Sequence, residues 1–373
     1  MDVGLTSDQE LLRDTTTRFI EAACPLTTVR ELTERDRDAG PDYRRRAAEL
    51  GWFAMLVGEE YGGGSISDNP LVDASIIAAA RGARLQPGPF VATNVVAYAL
   101  SAAGDHDQRA KVLAAVLSGQ AAATWAAAGP DGEWDAGSGV RATVRGGGFV
   151  LNGSKTLVQD GDTSDWVLVT AGSDDGVAQF LVTPDTPGIT ARRLDGLDIT
   201  RAFCEMRFDD VEVPASAVLG TAGDADLVDR QLQIAAVLTV AESVGAMDHD
   251  FHLALEYAKV RIAFGRPIGS FQAVKHLLAD TSLALEMSKG VAAEAARAVG
   301  ERRADAAEIA SMAKAFVGDH SIDLAHNCWQ VFGGIGYTWE HDQHLYLRRL
   351  TADAALYGDP AWHRERLCRL AGL

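Results

Sequence analysis

The sequence has few cysteines and none in a metal-binding spacing. Its 373 residues include only Cys24, Cys204, Cys328 and Cys368, which lie far apart, with no CxxC pair and no Cys/His pattern. Disulfide frameworks and zinc sites need closely spaced or regularly paired cysteines. We therefore expect buried, reduced thiols and no metal site.

Basic residues are also scarce, and long hydrophobic runs are absent. The 34 lysines and arginines face 52 acidic residues, which gives a net charge of −18. A nucleic-acid partner is excluded because duplex binding needs a basic face that displaces phosphate counterions. No apolar run approaches the ~20 residues of a membrane span, and the first stretch, MDVGLTSDQELL, lacks the basic and apolar regions of a signal peptide. We expect a cytoplasmic protein.

What the sequence does contain is a change of hydrophobic period along the chain. Helical i, i+3, i+4 spacing predicts an α-helical domain over 1–118, opened by a capping box of Ser7 and Glu10. A period of two over 119–218, with glycine-rich turns and an Asn152-Gly153 hairpin signal, predicts an antiparallel β domain. Helical spacing then returns over 219–373 and predicts a four-helix bundle. The fold class is thus α+β, mainly α.

Two glycine corners in the last region carry the clearest signal of chemistry. RIAFGRPIGSFQ, 261–272, combines an arginine with a glycine and proline turn, and QVFGGIGY, 330–337, adds a second glycine corner beside an amide side chain. The first stretch by itself fits a simple helix-turn-helix corner equally well. Together, bare backbone N–H groups and a bidentate guanidinium suit a pyrophosphate.

At these residues the sequence resembles the acyl-CoA dehydrogenase family. The family signature Arg-x-x-Phe-Gly-x-Pro-Ile-x-x-Phe-Gln appears at 261–272, and Gln-x-x-Gly-Gly-x-Gly-Tyr appears at 330–337. Weaker similarities occur in the same order as in the family, at 50–63, 149–156 and 208–220. The resemblance implies N-terminal helices, a central β domain and a C-terminal four-helix bundle.

The resemblance also implies a cofactor, a reaction and partners. Family members bind FAD at a subunit interface and oxidise an acyl-CoA to the 2,3-enoyl-CoA in fatty acid and lipid degradation. A carboxylate removes the α-proton while the β-hydrogen leaves as hydride to the flavin, and an electron-transfer flavoprotein reoxidises the cofactor. The implied oligomer is a homodimer, a homotetramer or a heterotetramer with a related subunit. By the family pattern, the FAD-binding residues are Arg261, Phe264, Gln272, Gln330, Gly333 and Gly334.

The usual catalytic glutamate of the family is missing from its expected position. It sits in a Tyr-Glu-Gly-Thr context after the second corner, where this chain reads ALYGDPAWHRE. The position falls on Gly358, or on Tyr357 if counted from Arg348. Asp359 is displaced, shorter and followed by a proline, so it is a poor substitute for a base that must reach the α-carbon.

Glu242 is the replacement that the sequence offers. It lies in AAVLTVAESVGAM, an apolar helical run before the first corner, two turns after Ala235, the better-known alternative position for the base. A carboxylate among apolar neighbours has a raised pKa, as a base needs, and the small Ala241, Gly245 and Ala246 leave room for a substrate. The alternative is a buried glutamate paired with an arginine across the bundle, or one that reaches solvent between helices.

Two main functional hypotheses follow. The first is an active FAD-dependent acyl-CoA dehydrogenase with Glu242 as base, acting on a bulky or branched acyl-CoA. The second is a non-catalytic subunit of a heterotetrameric α2β2 dehydrogenase, which keeps the adenosine-side residues while its own contacts to the flavin ring decay. An acyl-CoA oxidase or a flavin monooxygenase-like relative uses the same fold and is a third possibility.

Overall fold

The N-terminal third of the chain is helical in the computed structural model, which describes residues 4–35 and 39–373. Residues 1–3 lie outside the described residues. They belong to the predicted N-terminal helical domain and to the stretch MDVGLTSDQELL, which lacks the features of a signal peptide. The helices are α1 (Ser7–Ala23), α2 (Leu26–Glu34), α3 (Gly40–Glu49), α4 (Pro70–Gly82), α5 (Phe90–Ala103) and α6 (Ala114–Leu117). A π-helical turn, Gln108–Leu113, leads into α6.

The capping box of α1 lies one residue before the predicted one. The Thr6 hydroxyl accepts a hydrogen bond from the backbone N–H of Gln9, and the Gln9 side chain accepts one from the backbone N–H of Thr6. Ser7 is already helical. Thr6 with Gln9 and Ser7 with Glu10 have the same spacing. The pattern therefore predicted where the helix begins, but it did not show which residue caps it.

The middle of the chain forms one seven-stranded sheet. Its strands are β1 (Ala123–Ala126), β2 (Val140–Arg145), β3 (Gly148–Gln159), β4 (Trp166–Ser173), β5 (Gly176–Val182), β6 (Ile189–Arg193) and β7 (Phe203–Pro214). The order is β1-β4-β2-β3-β7-β6, and β5 pairs with β4. The sheet is mixed rather than purely antiparallel, because β4 runs parallel to β1 and β2.

The prediction of a hairpin turn at Asn152-Gly153 is wrong. The β2–β3 hairpin turns at Gly146 and Gly147, both with positive φ. Gly153 lies inside β3 at a register shift, where an added Cβ would stand 2.0 Å from the carbonyl oxygen of Gly139. Gly153 therefore allows a β-bulge and a close approach of the neighbouring backbone. Both are common reasons for a glycine inside a strand.

The last third is a bundle of long helices, as predicted. The helices are α7 (Ala225–Val260), α8 (Gln272–Gly300), α9 (Ala306–Phe332), α10 (Gln343–Ala355) and α11 (Pro360–Leu370), and a short β8–β9 hairpin (Ile262–Ala263 and Arg266–Pro267) joins α7 to α8. With 36 residues, α7 is about 54 Å long. It packs against α4, α8, α9 and α10 and forms the axis of the helical core.

Two glycines allow α4 and α7 to touch backbone to backbone. A Cβ at Gly82 would lie 1.9 Å from the carbonyl oxygen of Glu242, and a Cβ at Gly245 would lie 1.9 Å from that of Ala79. Real side chains cannot occupy such space, so each position requires glycine. Gly245 therefore serves helix packing, and the room that the sequence suggested for a substrate beside it is filled by α4.

Three of the four cysteines, Cys24, Cys204 and Cys328, are buried and unpaired as predicted, whereas Cys368 is exposed near the end of α11. No helix within 4–35 and 39–373 combines the length and the apolar character needed to cross a bilayer.

A buried acid in the bundle generates a stability prediction. Asp250 is fully buried and accepts a 3.1 Å hydrogen bond from the Gln343 side chain. Burial raises its pKa well above the ordinary ~3.9, because desolvation outweighs that bond and one from Cys328. The folded state then binds the proton more tightly than the unfolded state does. Stability should therefore fall as the pH rises from about 4 towards the raised pKa, by about 1.4 kcal/mol per unit of pKa shift.

Asp250→Asn should remove that decline, because the amide keeps the shape and has no proton to lose. Urea unfolding at several pH values between 4 and 8 measures the effect, with the exposed Asp131→Asn as control. Parallel pH profiles for wild type and Asp250→Asn would contradict the prediction.

Candidate functional site

The two glycine corners lie at the same end of the bundle. Arg261 follows the last residue of α7, and Gly333 follows the last residue of α9. The rings of Tyr257 and Phe332, in the final turns of these helices, are in contact at a centroid distance of 5.1 Å. Helix packing thus brings together two signatures that are about 60 residues apart in sequence.

This end of the bundle is open to solvent. Phe264 is 95% exposed, in a left-handed conformation beside Gly265. Arg261, Gln272, Gln330 and Gly334 are exposed as well, and no atom lies within 4 Å of a Cβ placed on Gly333 or Gly334. We name the surface formed by the six predicted FAD-binding residues the corner surface. It offers a guanidinium, two amide side chains and accessible backbone to a ligand or a neighbouring subunit.

Glu242 lies elsewhere, in the middle of α7 and 19 residues before Arg261, or about 28 Å along the helix axis. It is 3% exposed. Its carboxylate lies 3.5 Å from Nε of Arg81 on α4 and 3.7 Å from Nη1 of Arg201 on the loop between β6 and β7. Pairing with an arginine is the alternative that the sequence left open for this residue, and here two arginines share it.

The ion pairs of Glu242 continue into a larger buried network. Arg201 also pairs with Asp353 on α10 and, at 2.8 Å, with Asp198. Asp198 in turn accepts a 2.8 Å bond from Arg349. We name these six residues, Arg81, Asp198, Arg201, Glu242, Arg349 and Asp353, the charge network. Its three acids and three arginines balance, which a buried cluster requires because an unpaired charge is costly away from water.

Burial and neighbouring charges act in opposite directions on Glu242. Desolvation raises the pKa of its carboxyl above the ordinary value, whereas Arg81 and Arg201 favour the charged form. Arg81 is itself held in place, since it donates a 2.8 Å hydrogen bond to the carbonyl of Pro87 and packs over the rings of Trp52 and Phe90. The carboxylate is thus desolvated, as a tuned base would be, but its oxygens face fixed partners.

Three cavities in this part of the molecule have walls that do not include Glu242. A cavity of about 60 Å³ reaches Arg81, and one of about 660 Å³ between α2 and the β6–β7 loop reaches Arg201. A third, of about 370 Å³, lies between the sheet, the start of α7 and α11. Its wall includes Trp125 and Trp134, and the ring of Tyr357 packs against both.

Asp359 has a structural role at the start of α11. Its carboxylate accepts a 2.7 Å hydrogen bond from the backbone N–H of Trp362, which caps the helix that Pro360 opens. This hydrogen bond agrees with the expectation that Asp359 is a poor catalytic base, since a capping carboxylate is fixed to the backbone.

The charged residues around Glu242 could not be found from the sequence. Arg81, Arg201 and Asp353 lie on three separate elements, and no spacing in the sequence links them. A partial signal existed in Gly82 and Gly245, because glycines inside apolar helices often mark a close helix crossing. In the sequence, Tyr357 stood out only as one of the two positions that align with the family's glutamate. Its ring contacts with Trp125 and Trp134 could not be predicted from the sequence.

The helical, sheet and bundle regions, together with the corner surface, define an α+β protein with the acyl-CoA dehydrogenase fold. Comparison with known proteins supports this. Residues 6–120, 124–211 and 225–371 match, in turn, "Acyl-CoA dehydrogenase, N-terminal domain", "Acyl-CoA dehydrogenase, middle domain" and "Acyl-CoA dehydrogenase, C-terminal domain".

Named relatives give the same result. A mitochondrial isobutyryl-CoA dehydrogenase of Dictyostelium discoideum is 30% identical, over 98% of this chain and 90% of that protein. The structure of the ChsE4-ChsE5 complex from Mycobacterium tuberculosis matches with a TM-score of 0.88 and 26% identity, over 100% of this chain and 99% of that one. A glutaryl-CoA dehydrogenase from Mycobacterium smegmatis in complex with FADH2 shares the fold, with a TM-score of 0.90, 23% identity and coverage of 99% and 96%. The chain belongs to the acyl-CoA dehydrogenase family, as predicted.

The charge network predicts a large penalty for removing its central acid. Glu242→Ala leaves Arg81 and Arg201 short of a counter-charge and should cost about 3–5 kcal/mol of unfolding free energy. Glu242→Gln preserves the shape and should cost less. Chemical denaturation measures both changes.

A matched control is Glu212→Ala, which removes the partner of Arg145 from an ion pair whose side chains are 67% and 73% exposed. An exposed pair of this kind contributes at most about 1 kcal/mol. Equal losses for Glu242→Ala and Glu212→Ala would contradict the structural importance of the network.

Proposed function

We propose that this chain takes part in the FAD-dependent α,β-dehydrogenation of an acyl-CoA thioester, as a subunit whose corner surface completes the FAD site of a neighbouring chain. The observation that carries the proposal is the contrast along α7. Its C-terminal end presents the open corner surface, whereas its middle holds Glu242 among fixed ionic partners.

The corner surface suits the adenosine and pyrophosphate half of FAD. The guanidinium of Arg261 would donate two hydrogen bonds to oxygens of the pyrophosphate, and the side-chain amides of Gln272 and Gln330 would donate to acceptor atoms of the adenosine half of FAD. Gly333 and Gly334 have the open space that a backbone needs for close approach to a ligand. Phe264 would pack its exposed ring on an apolar part of the neighbour or of the cofactor. When bound, FAD accepts the hydride that dehydrogenation releases.

The interior of this chain supports the role of an assisting subunit. A catalytic base must reach the proton that it removes. Tyr357, at one of the two positions that align with the missing glutamate, has no acidic group, and Asp359 is committed to a helix cap. Glu242 is separated from the 370 Å³ cavity, since it does not line that cavity.

The relatives guide the choice of partner and substrate. The ChsE4-ChsE5 structure is described as a complex of two differently named chains, which favours a heterotetramer with a related subunit for this chain as well. The isobutyryl-CoA dehydrogenase relative favours a branched acyl-CoA as the substrate of the assembly. An electron-transfer flavoprotein is the proposed electron acceptor, and the cytoplasm the proposed compartment.

The flavin content of the assembly tests the role of the corner surface. The chain is co-expressed with a family member that carries the Tyr-Glu-Gly-Thr glutamate, and FAD is released and counted per subunit. Arg261→Gln should weaken FAD retention about 10- to 100-fold, because a charged hydrogen bond worth about 1.5–3 kcal/mol is lost.

Arg266→Gln is the matched control in the same hairpin, since its guanidinium lies over the ring of Phe271 at 4.1 Å. It should leave FAD retention close to that of wild type. Equal flavin content in the wild-type and Arg261→Gln assemblies would refute the proposed role of the corner surface.

A second candidate keeps Glu242 as the base of a self-sufficient dehydrogenase. Its support is that the carboxylate is desolvated, with a raised pKa, and that its partner Arg201 lines the 660 Å³ cavity. In that case a movement of Arg201 would have to open a path from the cavity to the carboxylate.

Glu242→Gln distinguishes the two candidates in the chain purified alone. If Glu242 is the base, the wild type binds FAD and isobutyryl-CoA bleaches the flavin absorbance, while Glu242→Gln binds FAD but reduces it about 10²- to 10⁴-fold more slowly. If the chain is an assisting subunit, neither form reduces flavin alone. Unchanged flavin reduction in Glu242→Gln would eliminate Glu242 as base.

A further inference from the structure

Two arginines meet at one tyrosine hydroxyl near the start of α7. The Nη2 atom of Arg302, in the turn between α8 and α9, donates a 3.4 Å hydrogen bond to the hydroxyl of Tyr98 on α5. The guanidinium of Arg230, in the second turn of α7, interacts electrostatically with the same hydroxyl. We name Tyr98, Arg230 and Arg302 the two-arginine site. Arg302 is exposed, and Tyr98 and Arg230 are half-buried, so a ligand can reach all three from solvent.

The positive charges of this site lack an acidic partner. The chain has 52 acidic residues for 34 basic ones, so carboxylates are plentiful. Within residues 4–35 and 39–373, however, neither Arg230 nor Arg302 forms an ion pair. Asp229, next to Arg230 in sequence, pairs with Arg366 instead. The Nε atom of Arg230 is buried and has no hydrogen-bond partner, which is costly for a charged donor.

The groups at this site repel each other and are all hydrogen-bond donors. Burial lowers the pKa of the Arg230 guanidinium, and the like charge of Arg302 lowers it further, against the opposite effect of Tyr98 and Asp229. Arginine keeps its proton in proteins, so the two positive charges stay side by side. The Tyr98 oxygen accepts from Arg302 and keeps its own proton, which has no acceptor in the part of the chain that the structure describes. An anion would satisfy all three groups.

The backbone of Arg302 gives a further indication that its side chain is needed. Arg302 has φ +54°, in the left-handed region that favours glycine. Its N–H donates a 3.2 Å hydrogen bond to the carbonyl of Val299, which fixes the turn after α8. The guanidinium is therefore presented from a fixed backbone, at a position where a side chain costs stability.

We infer that the two-arginine site binds a phosphate group, either as the free ion or as the terminal group of a phosphorylated small molecule. A phosphate dianion balances both guanidinium charges and has enough oxygens for two arginines and the Tyr98 hydroxyl. A single carboxylate would leave one guanidinium without a counter-charge. Arg230 lies 31 residues before Arg261, or about 46 Å along the axis of α7. The site is therefore separate from the corner surface, and the inference does not depend on the proposed function.

Thermal unfolding of the purified chain at increasing inorganic phosphate tests the inference. The ionic strength is held constant with potassium chloride, and the line width of the phosphorus NMR signal reports binding directly. A ligand that binds the folded state raises the unfolding temperature in a saturable way, which gives a dissociation constant. The wild-type chain should show such a rise.

Three variants remove one donor each. Arg302→Gly and Arg230→Gln should each weaken phosphate binding at least about tenfold, because a hydrogen bond from a charged group is lost. Tyr98→Phe should weaken it about fivefold, because the lost donor is neutral. Arg302→Gly should fold at least as well as wild type, since glycine suits the left-handed conformation.

Arg297→Gln is the matched control near the end of α8. It lowers the net charge by the same amount, but its guanidinium already pairs with Glu294 at 3.0 Å. Its affinity for phosphate should stay within about twofold of wild type. A second titration with phenyl phosphate distinguishes the two sources of the group: binding as tight as that of the free ion indicates a phosphorylated molecule, and much weaker binding indicates the free ion.

Three results would overturn the inference. One is a wild-type chain on which phosphate has no saturable effect. Another is a folded Arg302→Gly variant that binds phosphate as tightly as wild type and Arg297→Gln do. The third is acetate that binds the wild-type chain as tightly as phosphate, which would assign the two-arginine site to a carboxylate.

Discussion

The close crossing of α4 and α7 is the constraint on which the rest of the structure depends. Gly82 and Gly245 let the two backbones touch, and this contact brings Arg81 of α4 to the carboxylate of Glu242 on α7. Arg201 and Asp353 then link the crossing to the β6–β7 loop and to α10. A buried charge network of this kind adds little net stability compared with apolar packing, but it penalises any arrangement that separates its members. It therefore fixes how the sheet, α4 and the bundle meet.

The middle and the C-terminal end of α7 differ in their access to ligands. The middle of α7 is closed by the ionic partners of Glu242. The end of α7 leads into an exposed arginine and an exposed phenylalanine, next to the glycines that follow α9. Under the proposed function, such a chain serves a neighbour's cofactor and does not itself remove the proton.

The sequence predicted the features that depend on local pattern. Periodicity predicted the order of helices, strands and bundle, and the two signatures identified the family. It failed where a residue's role depends on distant neighbours. Asn152-Gly153 has the composition of a turn, yet the approach of Gly139 makes it a bulge. Glu242 has the apolar flanks of a tuned base, yet its environment is decided by Arg81 and Arg201, which lie 161 and 41 residues away in sequence. The pairing of β1 with β4 in parallel likewise needed the tertiary structure.

Under the proposed function, this chain alone lacks a complete dehydrogenase site. The most direct test is to count FAD per chain after purification without any partner, and then to add isobutyryl-CoA and follow the flavin absorbance. We predict clearly less than one FAD per lone chain and no bleaching, whereas FAD binding and bleaching should both appear when a glutamate-bearing relative is co-expressed. One FAD per lone chain, reduced by the thioester in the wild type and not in Glu242→Gln, would contradict it.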